Sequence, residues 1–251
     1  MMLLLAAPYA IFGAILASFA GVISERLYTG ESWMRSRSRC NSCNRPLTAP
    51  DLIPIISWVI FRGRCRTCRA PVPYRYALAE LVLGALFYAA ALALPPTAIL
   101  PVFLAFLFTL TIAVLYDLRH TIVPMPLALL LIGFGTCYAW LASADRSAFG
   151  MTLLVAGYIG FGFFLLHALS RGRWMGLGDA PIALALALVA GQVALAGLLF
   201  SFWIGAAVGI AILATSRKGH RMGIEVPFVP FLAWGYLLAI FTQWNPFAIL
   251  P

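Results

Sequence analysis

Apolar residues run in long uncharged stretches, separated by short polar breaks, along nearly the whole chain. A bilayer core about 30 Å thick takes about 20 apolar residues per helix. Lipid offers backbone polar groups no partner outside their own element, so each stretch is predicted to be a transmembrane helix. The stretches number eight, at 3–23, 76–94, 99–115, 126–141, 151–169, 180–190, 193–215 and 228–241. The sixth and eighth are short. Gly191-Gln192 is the one turn between the sixth and seventh, and without it the count falls to seven. The fold predicted is an all-α polytopic membrane protein of about eight spans. It divides into a first transmembrane helix (1–23), a loop domain (24–75) and a membrane core (76–251).

Composition agrees with this pattern. The 251 residues are 63% hydrophobic and 10% charged, against roughly 45–50% apolar and about 25% charged in globular proteins. The first stretch ends in Ala17-Ser18-Phe19-Ala20, which resembles a signal-cleavage site. No positive charge precedes it and the run is long, so it is expected to stay as a span.

The net charge of +9 reports topology. Arginines 26, 35, 37, 39, 45, 62, 64, 66, 69 and 75 lie between the first two spans. Arg119, Arg171, Arg173, Arg217, Lys218 and Arg221 fall in loops that eight spans place on the same side, and Arg146 alone lies opposite. Positive charge is retained in the cytoplasm, so the long loop is expected there and both termini outside. The basic cluster therefore needs no nucleic-acid partner.

Four of the five cysteines sit in that loop, as Cys40-Asn41-Ser42-Cys43 and Cys65-Arg66-Thr67-Cys68, with 21 residues between the pairs. Each pair can present two thiolates to one tetrahedral zinc ion, and four thiolates leave no open position, so the zinc is expected to be structural. Two disulfides are the alternative, disfavoured in a reducing compartment. Redox-active thiols activated by neighbouring arginines are a third reading. Cys137, inside a span, is expected to be an apolar packing residue.

Of the eight acidic residues, Glu25, Glu31, Asp51 and Glu225 fall in polar segments and are expected to be solvated, and Asp145 lies in an outer loop. Glu80, Asp117 and Asp179 remain at or inside helix ends. Ionisable groups at membrane depth cost about 2.5–3.5 kcal/mol on insertion scales and mark functional sites. Asp117 closes the third span in Val114-Leu115-Tyr116-Asp117, and Asp179 opens the sixth in Gly176-Leu177-Gly178-Asp179, both at the cytoplasmic interface. Two carboxylates brought together cannot both ionise easily, so one holds a proton while the other activates water, as in aspartic proteases. Gly176 and Gly178 would allow close approach and an unusual turn. Two plainer roles stand beside this one: Asp179 capping its helix, and Asp117 pairing with Arg119 or His120. His167 is expected to be a hydrogen-bonded core group. Trp174, Trp203, Trp234 and Trp244 fit an interfacial belt.

These residues, taken in order, resemble the type IV prepilin peptidases, bifunctional enzymes of the bacterial inner membrane. The resemblance runs through Ala17-Ser18-Phe19, Arg26-Leu27, Ser36-Arg37-Ser38, the two cysteine pairs and Asp51-Leu52-Ile53-Pro54. It continues through Ser57-Trp58, Arg62-Gly63-Arg64, Tyr74-Arg75-Tyr76, Glu80, Asp117, Gly176 to Asp179, and Pro227-Phe228-Val229-Pro230. It implies cleavage of the basic leader of prepilins or pseudopilins, for a type IV pilus or type II secretion system, on the cytoplasmic face by Asp117 and Asp179. It also implies zinc on Cys40, Cys43, Cys65 and Cys68, and methylation of the new N-terminus by S-adenosylmethionine in a region that includes Glu80. The partners expected are the pilin substrate and membrane lipid, and no nucleic acid. The chain departs from the family pattern at Gly21, Met125 and Pro181, which bears on substrate fit and on the methyl transfer.

Two other readings meet the same residues. Presenilin-like proteases also carry Tyr-Asp and Gly-Leu-Gly-Asp aspartates, but lack a double-CxxC loop, and their Pro-Ala-Leu signature is missing here. A membrane assembly factor that docks partners through its zinc loop would need no catalysis.

Overall fold

In a computed structural model, residues 2–29, 32, 37–215 and 226–246 are described. Glu31, Arg35, Ser36, Arg217, Lys218, His220, Arg221 and Glu225, which entered the charge and motif arguments, lie outside them. The described residues form ten α-helices: α1 (Met2–Arg26), α2 (Ala49–Leu52), α3 (Ile56–Ile60), α4 (Tyr74–Ala93), α5 (Ile99–His120), α6 (Met125–Ala142), α7 (Arg146–Ser170), α8 (Asp179–Ala190), α9 (Ala194–Thr215) and α10 (Val229–Thr242). No strand occurs among them, only two isolated bridges in the loop.

Eight of these helices are apolar, at the places the hydrophobic pattern predicts, and the chain is a multi-pass membrane protein. Six stretches are long and apolar enough to cross a bilayer, the last being the continuous run Asp179–Thr215. That run breaks at Gly191, whose φ of +55° ends α8, and a short 3-10 turn (Gly191–Val193) leads into α9. A left-handed φ suits glycine, which has no Cβ to clash. With 12 and 14 residues, α8 and α10 are about 18 and 21 Å long, shorter than a bilayer core.

The chain forms two compact units. The first holds residues 1–100 and 107–115, the second 101–106 and 116–251, so α5 contributes to both. In the first, α1 and α4 run antiparallel at close range. A Cβ on Gly84 would lie 2.9 Å from the Ala10 carbonyl oxygen, and one on Gly13 would lie 2.8 Å from that of Leu83. Such small-residue contacts are how helices associate where lipid removes the hydrophobic drive. Gly21 likewise makes room for the Tyr76 ring.

In the second unit α8 is the buried axis. Ten of its 12 residues are buried, with α6, α7 and α10 packed around it, and α9 lies on α10. Its alanines let Gly135 of α6 come against the Ala185 carbonyl and Gly160 of α7 against Leu184. Ser201 of α9 donates to the carbonyls of Gly197 and Leu232.

Cys137 and Asp51 depart from expectation. Cys137 does not pack in a core; it is exposed and lines an apolar groove with Val102, Leu129, Leu130 and Phe134. Asp51 is not a solvated charge: its carboxylate takes Arg45 at 3.0 Å and the Thr48 N–H at 2.9 Å, which caps α2.

Candidate functional site

The loop between α1 and α4 is built from the same hairpin twice. Residues 39–47 and 64–72 align at a spacing of 25, Arg-Cys-x-x-Cys with Pro46 matching Pro71 and Leu47 matching Val72. In each, the first cysteine N–H donates to a carbonyl five residues on, Arg45 or Ala70, and its own carbonyl accepts from Asn44 or Arg69. Asn44 and Arg69 hold matching left-handed φ values of 56° and 60°. Leu47 N–H closes one hairpin on Ser38 and Val72 N–H the other on Gly63. The repeat was present in the sequence; the spacing of the cysteines alone did not expose it.

The two knuckles face each other. All four Sγ atoms lie within 4.8 Å of one another, with Cys40 and Cys68 at 3.8 Å. A tetrahedral ion with bonds of about 2.3 Å needs sulfurs about 3.8 Å apart, so the donor set fits a metal. The N–H groups of Cys43 and Ser42 lower the Cys40 thiol, and those of Cys68 and Thr67 bring Cys65 down to about 6. Those two favour the thiolate that a metal requires, whereas Cys68, lowered by the Ala70 N–H but raised more by burial and the neighbouring thiols, goes up to about 11. All four cysteines are free, so the disulfide reading is not what the geometry shows. Beside them, burial would raise the Asp51 carboxyl, but Arg45 and Thr48 outweigh it and hold it at about 2.

Glu80 lies in the second turn of α4 and is 8% exposed. One oxygen accepts the Ile55 N–H at 2.7 Å. Ile55 is the centre of a γ-turn, with φ 62° and ψ −51° and the Ile56 N–H returning to the Pro54 carbonyl. That turn is rare and strained for a β-branched residue. Arg75, five residues before Glu80, lies over the Tyr76 ring and donates to its hydroxyl. The Tyr76 hydroxyl in turn donates to Glu25, which is thus engaged rather than solvated. The aromatic Tyr74-Arg75-Tyr76 run was visible in the sequence, but not that it ties α4 to the end of α1.

Asp117 and Asp179 both belong to the second unit. Asp117, 4% exposed, lies in the last turn of α5, and its Oδ2 accepts the Val229 N–H at 3.3 Å. Val229 opens α10, so this is one of the donors that a helix start leaves unpaired. Asp179, 8% exposed, is the first residue of α8. Its Oδ2 accepts the Gly176 N–H at 3.0 Å, upstream of the helix, so its carboxylate does not cap α8 in the usual way. The two carboxylates lie within electrostatic range of each other. Gly178 shows how they come together. Its φ is an ordinary −66°, so the unusual turn expected there does not occur. A Cβ on it would stand 2.9 Å from that of Val123, just past α5, so glycine is required for close approach. His167 is hydrogen-bonded as expected but half-buried and not in a core: its Nδ1 meets the Met175 carbonyl at 2.9 Å and braces the turn before Asp179. The Val229 donor and the Val123 contact had no sequence signal beyond the order of motifs.

A four-cysteine loop in the first unit and two buried carboxylates at helix ends in the second correspond to two family descriptions. Residues 11–94 match the bacterial peptidase A24 N-terminal domain, and residues 104–213 match the type IV leader peptidase family. The chain belongs to this family. It is 30% identical over 230 residues to a protein of Bacillus subtilis (strain 168) named prepilin leader peptidase/N-methyltransferase, covering 91% of each. Proteins of the same name from Myxococcus xanthus (strain DK1622) and Aeromonas hydrophila are each 32% identical. The matches cover 84% of this chain in both cases, but 64% of the Myxococcus protein and 75% of the Aeromonas one. No solved structure matches the chain with significance.

Proposed function

We propose that this protein is a membrane aspartic endopeptidase that removes the basic leader of prepilins or pseudopilins at the cytoplasmic face of the bacterial inner membrane. Asp117 and Asp179 are its catalytic pair. The observation that carries the proposal is that each is buried at the end of a different helix, oriented by a backbone N–H, and within electrostatic range of the other. One carboxylate takes a proton from water as the water oxygen attacks the scissile carbonyl carbon. The other, protonated, gives its proton to the carbonyl oxygen. Collapse of the tetrahedral species breaks the C–N bond: the first carboxyl passes its proton to the nitrogen of the new N-terminus, and the second carboxylate recovers a proton from a hydroxyl of the diol as the carboxyl product forms. The N–H groups of Val229 and Gly176 hold the two carboxylates in place throughout. Residues 24–75 serve as the zinc-binding domain and 76–251 contain the peptidase core, and the loop arginines support a cytoplasmic loop and active-site face.

Zinc would be held by Cys40, Cys43, Cys65 and Cys68, where it fixes the loop and takes no part in cleavage. For methylation, Glu80 would lie beside S-adenosylmethionine, which supplies a methyl group on a cationic sulfonium. A buried carboxylate already fixed by the Ile55 N–H suits that cation. The proposal is tested by mixing purified protein with a prepilin and weighing the product. A loss equal to the leader is expected, and intact pilin bound without cleavage would favour the docking role instead.

A further inference from the structure

The zinc loop carries an apolar face that its own fold leaves open. Leu52, Ile53, Ile56, Val59 and Ile60 are 43–66% exposed. They run along α2 and α3, with Ile56, Val59 and Ile60 on one side of α3 by their spacing. In a polar loop such a face marks a contact surface.

Its depth is set by the Glu80 tether. α4 has 20 residues, about 30 Å of helix, which matches a hydrocarbon core. Glu80 is the seventh of them, about 9 Å along the axis, and five residues past Arg75, whose charge belongs at the headgroups. The Ile55 N–H is 2.7 Å from the Glu80 carboxylate, so the junction of α2 and α3 hangs at this level and not above the membrane. Amphipathic helices lying in an interface sink by about 5–10 Å into the headgroup and acyl boundary. Ile55 keeps its strained γ-turn at this anchor, which a loosely held loop would relax. Just past α3 come exposed Arg62, Arg64, Arg66 and Arg69, with Arg66 stacked over the Phe61 ring at 5.1 Å. Basic side chains beside an apolar face suit anionic headgroups.

We propose that α2 and α3 form a wedge seated in the leaflet that α1 and α4 enter from, with Leu52, Ile53, Ile56, Val59 and Ile60 among acyl chains and the following arginines at lipid phosphates. The proposal rests on α4 spanning the membrane and is independent of the peptidase reading.

The test uses the full chain in nanodiscs of phosphatidylcholine with and without phosphatidylglycerol. A nitroxide is introduced through a keto amino acid, which spares the cysteines, at Val59, Ile60 or, as a control, exposed Asn41. Bound zinc and resistance of the loop to protease are measured on each sample to verify that the loop remains folded. Labels at Val59 and Ile60 are expected to collide with oxygen more often than with a water-soluble nickel chelate, more so with phosphatidylglycerol, and the label at Asn41 the reverse. If position 60 is as open to nickel as position 41 in zinc-loaded protein, the wedge is in water and the proposal falls. If positions 59 and 60 are shielded from both reagents, protein covers the face, and the lipid assignment falls equally.

Discussion

Asp117 and Asp179 were legible as residues because lipid makes an ionised side chain expensive and so singles it out. What the sequence could not supply was the partner of each. Val229 lies 112 positions from Asp117, and a backbone N–H carries no side-chain signature. Asp117→Asn and Asp179→Asn keep an acceptor for those N–H groups but cannot act as base or acid. Each should reduce cleavage by about 10²- to 10⁴-fold, the usual worth of a general acid or base, with membrane insertion unchanged. A variant that cleaves normally would remove that residue from the mechanism. Glu80→Gln separates two roles of one carboxylate. The amide oxygen can still accept the Ile55 N–H, so the loop should stay docked and cleavage continue, while the charge beside the cofactor is lost. Mass spectrometry of the mature pilin N-terminus should show cut but unmethylated product, and a methylated product would free Glu80 from the cofactor role.

Among the elements, the apolar helices were read at nearly their full extent because their pattern is dictated by lipid. The loop was read only as cysteines and charges. Its knuckles depend on left-handed Asn44, a type that tolerates that conformation, and on left-handed Arg69, a type that does not announce it, and its α2–α3 junction depends on a strained isoleucine. Replacing any one of the four cysteines with serine should lower bound zinc below one per chain and make the loop protease-sensitive, since a small polar loop has little core of its own. Asp51→Ala removes the cap of α2 and the Arg45 bridge. It should cost about 1 kcal/mol, the usual worth of a cap, and show as faster loop proteolysis at neutral pH. Because Asp51 is held at about 2, its contribution is present above the ordinary carboxylate range and is lost only as pH falls through that range toward 2. At the other site, Gly178→Ala should depress cleavage by forcing Val123 away and shifting Asp179, with overpacking that costs about 1–3 kcal/mol. Adding Val123→Gly should restore activity. Failure of that pair to couple would mean that the contact does not position the carboxylate.

For the molecule as a whole, the hydrophobic pattern gave eight apolar helices, and the break at Gly191 keeps α8 separate from α9. The pattern could not show that α8 is the buried axis of its unit, because a helix of alanine and leucine reads alike whether lipid or protein surrounds it. Nor could it show that α1 and α4 pair across the loop that separates them. These placements put Asp179 at the start of the most enclosed helix of its unit and Asp117 against the start of α10. The central claim is that these two carboxylates together cleave a pilin leader. It is tested most directly by incubating zinc-loaded protein in lipid with a purified prepilin and measuring product mass, beside Asp117→Asn and Asp179→Asn made in the same way. The account predicts a fall in mass equal to the basic leader with the native chain and none beyond a trace with either variant. Cleavage by both variants at the native rate, or uncut prepilin with the native chain, would contradict it.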